Sequence, residues 1–378
     1  MVPLCRSYNK ETYKKNDGKM RGWEVEMIKA GVNLYSFCEI TVGVKWEGQG
    51  VEGEIEQFFS PLPFVKRSGI AHSVHIELKF ITTDAPVDIP HSASGPFSCY
   101  DLSVYEADGH VSLTDGLSIF QLQPQAGIGI VTLHRSFKEK PPLSKYNFFL
   151  IGLIHLLSPL GFYDLHAAGL VRNGIGYLLL GESGSGKSST ALSLVRQGWH
   201  YVSDDAILVR PSADGIEALT FRRHFYLDPV LAHQFPEIAP HLKGSAMGDH
   251  TKRFLDVETV YPGRFRPGCI PRVLIYTHIV PQPVSKLIPI DKTTAFIKLM
   301  RQSASLFFKR QAVNVHLEVL RRLVSQSYSY ELLAGRDLYE CPEKISDFLL
   351  SNIKACNSSS PAHQWQEFRW GAELLPKP

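Results

Sequence analysis

Three glycines, a lysine and a run of serines stand together in GESGSGKSS, residues Gly181–Ser189, a complete match to G-x-x-x-x-G-K-[ST]. Gly181, Gly184 and Gly186 let backbone N–H groups turn inward and approach anionic oxygens where a Cβ would obstruct them. Glu182, Ser183, Ser185 and Ser189 extend the same run of amides and hydroxyls. The chemistry is the cradling of a triphosphate. Lys187 supplies a point charge for the β- and γ-phosphates, and the Ser188 hydroxyl can reach a magnesium ion.

A second pair of candidates follows in VSDDAILV, where Asp204 and Asp205 are adjacent. Read blandly, they are a solvated turn ahead of a strand. Read chemically, one acid holds metal or orients its neighbour, and the other accepts the proton of an incoming hydroxyl.

The elements that must position these groups are legible around them. YLLL immediately before the loop reads as a buried strand, and SSTALSLVRQ after it as an amphipathic helix from Lys187 to about Gln197, with Gly198 as its C-terminal cap. The helix adds its positive N-terminal end to the phosphate site. DLHAAGLVRNG reads as a strand with a turn at Asn173-Gly174, and HYVSDDAILVR as a further strand with the acids near its start. Such a strand–loop–helix–strand order predicts a sheet with helices packed on it, an α/β (mixed α+β) fold.

Residues 1–140 read differently. FCEITVGVKW, SVHIELKFITT and IGIVTLHRSF are β-type runs separated by turn-rich pieces, which predicts a smaller β-rich N-terminal domain without recognisable site chemistry. KEKPPLSK marks a boundary near residue 140, so the P-loop domain is expected over 141–352 and a loose tail over 353–378. The apolar run Tyr146–Tyr163 contains His155 and is broken by Pro159, and it falls short of the roughly 20 apolar residues of a membrane span; it predicts a buried core helix.

Composition excludes several classes. Hydrophobic residues make up 44% and charged residues 20% of the 378, ordinary for a globular protein, and the length favours two domains. A net charge of +3 lacks the concentrated basic excess of nucleic-acid binding. The six cysteines are widely scattered, with no zinc or redox spacing, and the polar N-terminus has no signal-peptide core; both fit a cytoplasmic protein.

The stretch LHAAGLVRNGIGYLLLGESGSGKSSTALSLVRQGWHYVSDDAILV, residues 165–209, resembles the C-terminal domain of the HPr kinase/phosphorylase family and the wider HPr-kinase-like P-loop group. TKRFLDVETVYPGRF, PRVLIY and YELLAGRD are similar to later parts of that domain, so the resemblance spans about residues 146–350. It implies an ATP- and magnesium-dependent serine kinase. Carried over by position, His166 matches the active-site histidine, Gly181–Ser188 the ATP loop with Ser188 at the magnesium position, Asp205 the proton acceptor, and Asp204 its companion; of the two acids, Asp204 is the expected metal ligand beside Ser188. The family's glycine-rich signature with its metal-binding glutamate has no counterpart in FRRHFYLDPVLAHQF, so the resemblance assigns neither a second metal ligand, nor HPr as acceptor, nor a reverse phosphorylase activity.

Other residues carry two readings. His166 alone is equally a core histidine. Lys252, in DHTKRFLD, is a candidate phosphate contact, with Arg253 beside it; the alternative is a solvated charged face. Asp256 and Glu258 suit either metal or structural pairing, whereas Arg222, Arg223 and His224 read as a surface cluster facing an acidic partner. The expected function is transfer of the γ-phosphoryl group of ATP to a hydroxyl, with serine of a protein or peptide as acceptor and homo-oligomers possible. The alternatives are an ATP-binding regulatory module without transfer, a small-molecule kinase, or an ATPase.

Overall fold

The computed structural model describes residues 30–68, 73–88, 97–244, 252–303, 306 and 313–353. The expected C-terminal tail lies, but for residue 353, outside the described residues.

Nine strands among the described residues between 30 and 134 build one sheet. Its centre is parallel, Ile40–Glu47 beside Ile76–Thr83 beside Ile128–His134, and antiparallel hairpins extend it on both sides. Strict alternation sets its faces: Ile76, Leu78 and Phe80 are buried while Glu77 and Lys79 are exposed. Two helices cover the apolar face, Val51–Phe59 and Pro142–Leu157. The second is the apolar run seen in the sequence. Among the described residues it is the one stretch long and apolar enough to cross a membrane, and here its Phe148, Phe149, Leu153 and Leu156 are buried in the core against that sheet. Gly152 brings the helix close, since a Cβ there would lie 2.0 Å from the Phe120 ring.

The remainder is layered around a six-stranded sheet in the order His200–Ser203, Ala167–Arg172, Ile175–Leu180, Pro271–Ile279, Tyr328–Ala334, Lys286–Pro289. The hairpin joining its second and third strands turns at Asn173 and Gly174, with φ of 51° and 75°. Two consecutive positive φ values give a turn whose twist matches the strands, which is why Asn-Gly sits there. Ile175–Leu180, Pro271–Ile279 and Tyr328–Ala334 run parallel. Both faces are apolar. Tyr177, Leu179 and Ile275 face the helix Lys187–Arg196 and the helix Ile345–Asn352; Leu178, Leu180 and Leu274 face the helices Lys292–Met300 and Val313–Gln326.

A separate four-stranded sheet pairs Tyr163–Leu165, Ile207–Ser212, Gly215–Thr220 and Gly268–Cys269. The single strand expected over HYVSDDAILVR is thus two strands in two sheets, His200–Ser203 and Ile207–Ser212. The apolar residues on each side of the acids satisfy different layers, and the acids occupy the crossing between them. Leu208 and Leu219 of the four-stranded sheet, with Phe221 just after it, join the core under the nine-stranded one, so these two sheets share a core.

Candidate active site

The loop Gly181–Gly186 leaves the C-terminal end of Ile175–Leu180 and enters the helix Lys187–Arg196. Gly181 has φ of 145°, and a Cβ there would lie 2.6 Å from Ser185 Oγ and 2.9 Å from the Thr277 carbonyl oxygen. Thr277 comes from the neighbouring parallel strand. Its hydroxyl donates to the Leu180 carbonyl (3.1 Å) and meets Ser185 Oγ (3.0 Å), pinning the loop to the sheet. At its far end the helix closes as expected at Gly198: the N–H groups of Gly198 and Trp199 donate to the carbonyls of Val195 and Leu194, each at 3.0 Å.

Lys187 is 5% exposed, and its ammonium donates to the carbonyls of Gly181 (2.7 Å) and Glu182 (3.0 Å). Burial pulls its pKa down, against the attraction of Asp205 and Asp204. Ser188 Oγ donates to Asp204 Oδ1 at 2.9 Å. The structure therefore brings the loop, its lysine, its serine and the aspartate pair together.

The two aspartates differ in kind. Asp204 is 1% exposed, and its Oδ2 is buried without a hydrogen-bond partner. Burial first, and then the charge of Asp205, push its pKa up to about 7, opposed by the Ser188 hydrogen bond. Asp205 is less enclosed. Its burial would raise its pKa, but the charges of His166, Arg222, Lys187 and Lys252 together hold it below the usual carboxylate range. Its backbone has φ of 67°, the left-handed region that a non-glycine residue occupies at a cost of about 1–2 kcal/mol. Neighbours hold that conformation: Ser203 Oγ bonds the Ala206 and Arg222 carbonyls, and the Ala206 N–H donates to the Asp204 carbonyl at 2.8 Å.

His166 precedes the strand Ala167–Arg172. Its Nδ1 lies 3.0 Å from the Asp205 carbonyl oxygen and 3.2 Å from Asp205 Oδ1. Both neighbours are acceptors, so Nδ1 carries the hydrogen. Burial lowers the pKa of the ring, against the pull of Asp205. Lys252 is near enough for its charge to act on both Lys187 and Asp205.

The reading of the basic cluster changes, and that of Asp256 and Glu258 narrows to its structural alternative. Arg222, expected in a surface cluster, has a side chain only 12% exposed and lies 3.5 Å from Asp205 Oδ2. Arg223 lies over the Phe265 ring and His224 against Phe254, so neither belongs to an open basic face. Asp256 caps the short helix Val257–Val260, and Glu258 accepts the N–H groups of Gly263, Arg264 and Phe265; both hold a turn. Sequence reasoning also missed Ser203, Thr277 and Tyr146, whose hydroxyl accepts from Arg222. Thr277 was findable as the polar residue near the end of the apolar run VLIYT. The others carry no local signal, because their partners are distant in the chain.

Magnesium prefers one or two carboxylates together with phosphate and water oxygens. Ser188 Oγ and the unpartnered Asp204 Oδ2 fit such a position. Among the described residues no cluster of three or more His, Cys, Asp or Glu side chains offers an all-protein metal cage.

Comparison with known proteins bears on the same segment. Residues 163–220 match the HPr Serine kinase C-terminal domain. An HPr kinase/phosphorylase of Caldanaerobacter subterraneus subsp. tengcongensis is 65% identical over 37 residues, 10% of this chain and 12% of that protein. One of Clostridium botulinum (strain Eklund 17B) is 48% identical over 48 residues, 13% of this chain and 16% of the relative, and one of Peptoclostridium acidaminophilum 56% identical over 41 residues, 11% and 13%. The chain thus matches less than a fifth of the length of each of these relatives. A solved structure, the Hpr(Ser) kinase/phosphatase from Coxiella burnetii, aligns with 53% of this chain and 99% of its own at 14% identity and a TM-score of 0.27. The stretch that carries the glycine loop, His166 and both aspartates is thus similar to a segment of the HPr Serine kinase C-terminal domain.

Proposed function

We propose that the protein is an ATP-dependent kinase that transfers the γ-phosphoryl group to a hydroxyl, with serine of a protein or peptide as acceptor. One observation carries this reading: the loop serine Ser188 donates to Asp204, and the adjacent Asp205, held below the usual carboxylate range, lies within electrostatic reach of the loop lysine Lys187.

In this reading the loop amides and Lys187 grip the phosphates, and Lys187 exchanges the Gly181 and Glu182 carbonyls for phosphate oxygens. Ser188 and Asp204 would hold magnesium, which when bound would neutralise charge developing on the phosphoryl oxygens. Asp205 accepts the proton of the attacking hydroxyl. His166, donating from Nδ1, fixes the direction of that carboxylate, and Lys252 adds positive charge where the transferred group passes. The scattered cysteines, of which Cys38, Cys269 and Cys341 are free thiols, suit the cytoplasmic setting this reading carries.

The test is direct. Purified protein is incubated with γ-labelled Mg-ATP and either HPr, the acceptor for which its relatives are named, or a library of seryl peptides, and products are mapped by mass spectrometry. Label on a serine hydroxyl supports the reading. Tight Mg-ATP binding with neither transfer nor ADP release leaves the regulatory nucleotide-binding alternative, and rapid ADP release with no labelled acceptor leaves an ATPase.

A further inference from the structure

Arg222 stands where three parts of the molecule meet. It directly follows the four-stranded sheet's strand Gly215–Thr220 and the core residue Phe221. Its guanidinium points at Asp205 Oδ2 (3.5 Å), donates to the Tyr146 hydroxyl (3.3 Å), and lies over the rings of Tyr146 and Tyr226, 5.3 Å and 4.9 Å from their centroids. Its backbone is tied as well, with the N–H donating to Ser203 Oγ (3.2 Å) and the carbonyl accepting from the same hydroxyl (2.6 Å). Tyr146 belongs to the helix Pro142–Leu157 on the nine-stranded sheet, where its ring also meets Phe58.

A guanidinium confined between two aromatic faces has little rotational freedom. The anion it faces is then confined too. His166 takes Asp205 Oδ1 and Arg222 takes Oδ2, so the carboxylate is held from both sides. A positioned base matters because misplacement by about 1 Å can reduce turnover on the order of 100-fold.

We propose that Arg222 is the positioning residue for Asp205, and that Tyr146 completes the site from the helix on the nine-stranded sheet. The nine-stranded sheet then supports the site through the helix that packs on it. The inference rests on the kinase reading above for its catalytic meaning, but the Arg222–Asp205 coupling is measurable without turnover.

Two experiments test it on the full chain. In the first, melting temperatures of the wild type, Asp205→Asn, Arg222→Met and the double variant are compared without nucleotide. Each single change leaves the remaining charge without this partner, so each lowers the midpoint; the double change removes both, so its drop is clearly smaller than the combined drops of the singles. Additive shifts overturn the coupling.

In the second, ADP formation from Mg-ATP with water as acceptor is measured. Arg222→Met is expected to lower kcat roughly 100-fold with KM for ATP within about threefold, and Tyr146→Phe to show the same split at roughly 3- to 10-fold. Arg222→Lys, which keeps the charge without the fork, recovers part of the loss. A fall in ATP affinity that matches the fall in turnover, or kcat unchanged in Arg222→Met, overturns the positioning role. Wild-type protein that binds Mg-ATP but yields neither ADP with water nor label on HPr or any seryl peptide overturns the kinase reading and with it the catalytic meaning of Arg222, even where the midpoints show coupling.

Discussion

Two adjacent aspartates are driven in opposite directions by their surroundings. Asp204 lies under the sheet crossing with its pKa pushed up to about 7, first by burial and then by Asp205; Asp205 is turned outward toward His166, Arg222, Lys187 and Lys252 and stays ionised. The separation suits the duties assigned to them, because a site that would receive a cation tolerates an underpartnered carboxylate, and a base must be charged. A stability prediction follows for Asp204. Its folded-state pKa is raised above the unfolded value, so its contribution is fully present below about pH 4, the unfolded carboxylate value, and is lost as pH rises through about 7. Without nucleotide or magnesium, Asp204→Asn is expected to melt a few degrees above the wild type at pH 8, with the gap closing toward pH 5. A thermal-shift series over that range reads it directly. A gap that widens as pH falls would contradict the burial argument.

Elements deliver these side chains through their ends. The phosphate loop depends on a glycine that folds back against Thr277, and the helix it feeds depends on a left-handed glycine at the other end, Gly198, with φ of 89°. Gly181→Ala brings a Cβ within 2.9 Å of the Thr277 carbonyl and should weaken Mg-ATP binding at least about tenfold, measured by nucleotide fluorescence titration. Gly198→Ala should instead cost about 1–2 kcal/mol in denaturant unfolding while leaving nucleotide affinity unchanged, since it touches only the distal end of the helix. If both variants lose affinity equally, the two ends of the helix are not separable in this way. These features were readable in advance: GESGSGKSS named the loop, the apolar YLLL its strand, and Asn173-Gly174 and Gly198 the turn and the cap. The crossing at 204–206 was not, because a sequence shows apolar flanks without showing that they enter different sheets. Arg222 was misread for a related reason. FRRH looks like an exposed basic run, and only tertiary packing buries its first arginine between two tyrosines.

The nine-stranded and four-stranded sheets share one apolar seam. Phe162, Leu208, Leu219 and Phe221 belong to the same buried cluster as Phe148, Phe149 and the strand residues Val42, Val44 and Phe80. Arg210 reaches across the same seam, pairing with Glu39 from the first hairpin and with Glu217. From sequence, the N-terminal 140 residues read as a separate β-rich piece without site chemistry, since the strands could be recognised but their contacts could not. The packing predicts that a chain beginning at residue 141 will not fold soundly. It strips the cover from Phe148, Phe149 and Leu153 and leaves a large apolar face exposed. Expression of that truncation beside the full chain, followed by size-exclusion chromatography and circular dichroism, checks this: aggregation or a non-cooperative melt is expected, and a monodisperse, cooperatively melting fragment would show the seam to be dispensable.

All of this converges on a single carboxylate. Transfer of labelled phosphate from Mg-ATP, measured side by side for the wild type and Asp205→Asn, should fall by at least about 100-fold in the variant while the dissociation constant for Mg-ATP stays within threefold, as loss of a general base alone requires. Transfer at the wild-type rate by Asp205→Asn would contradict the account at its centre.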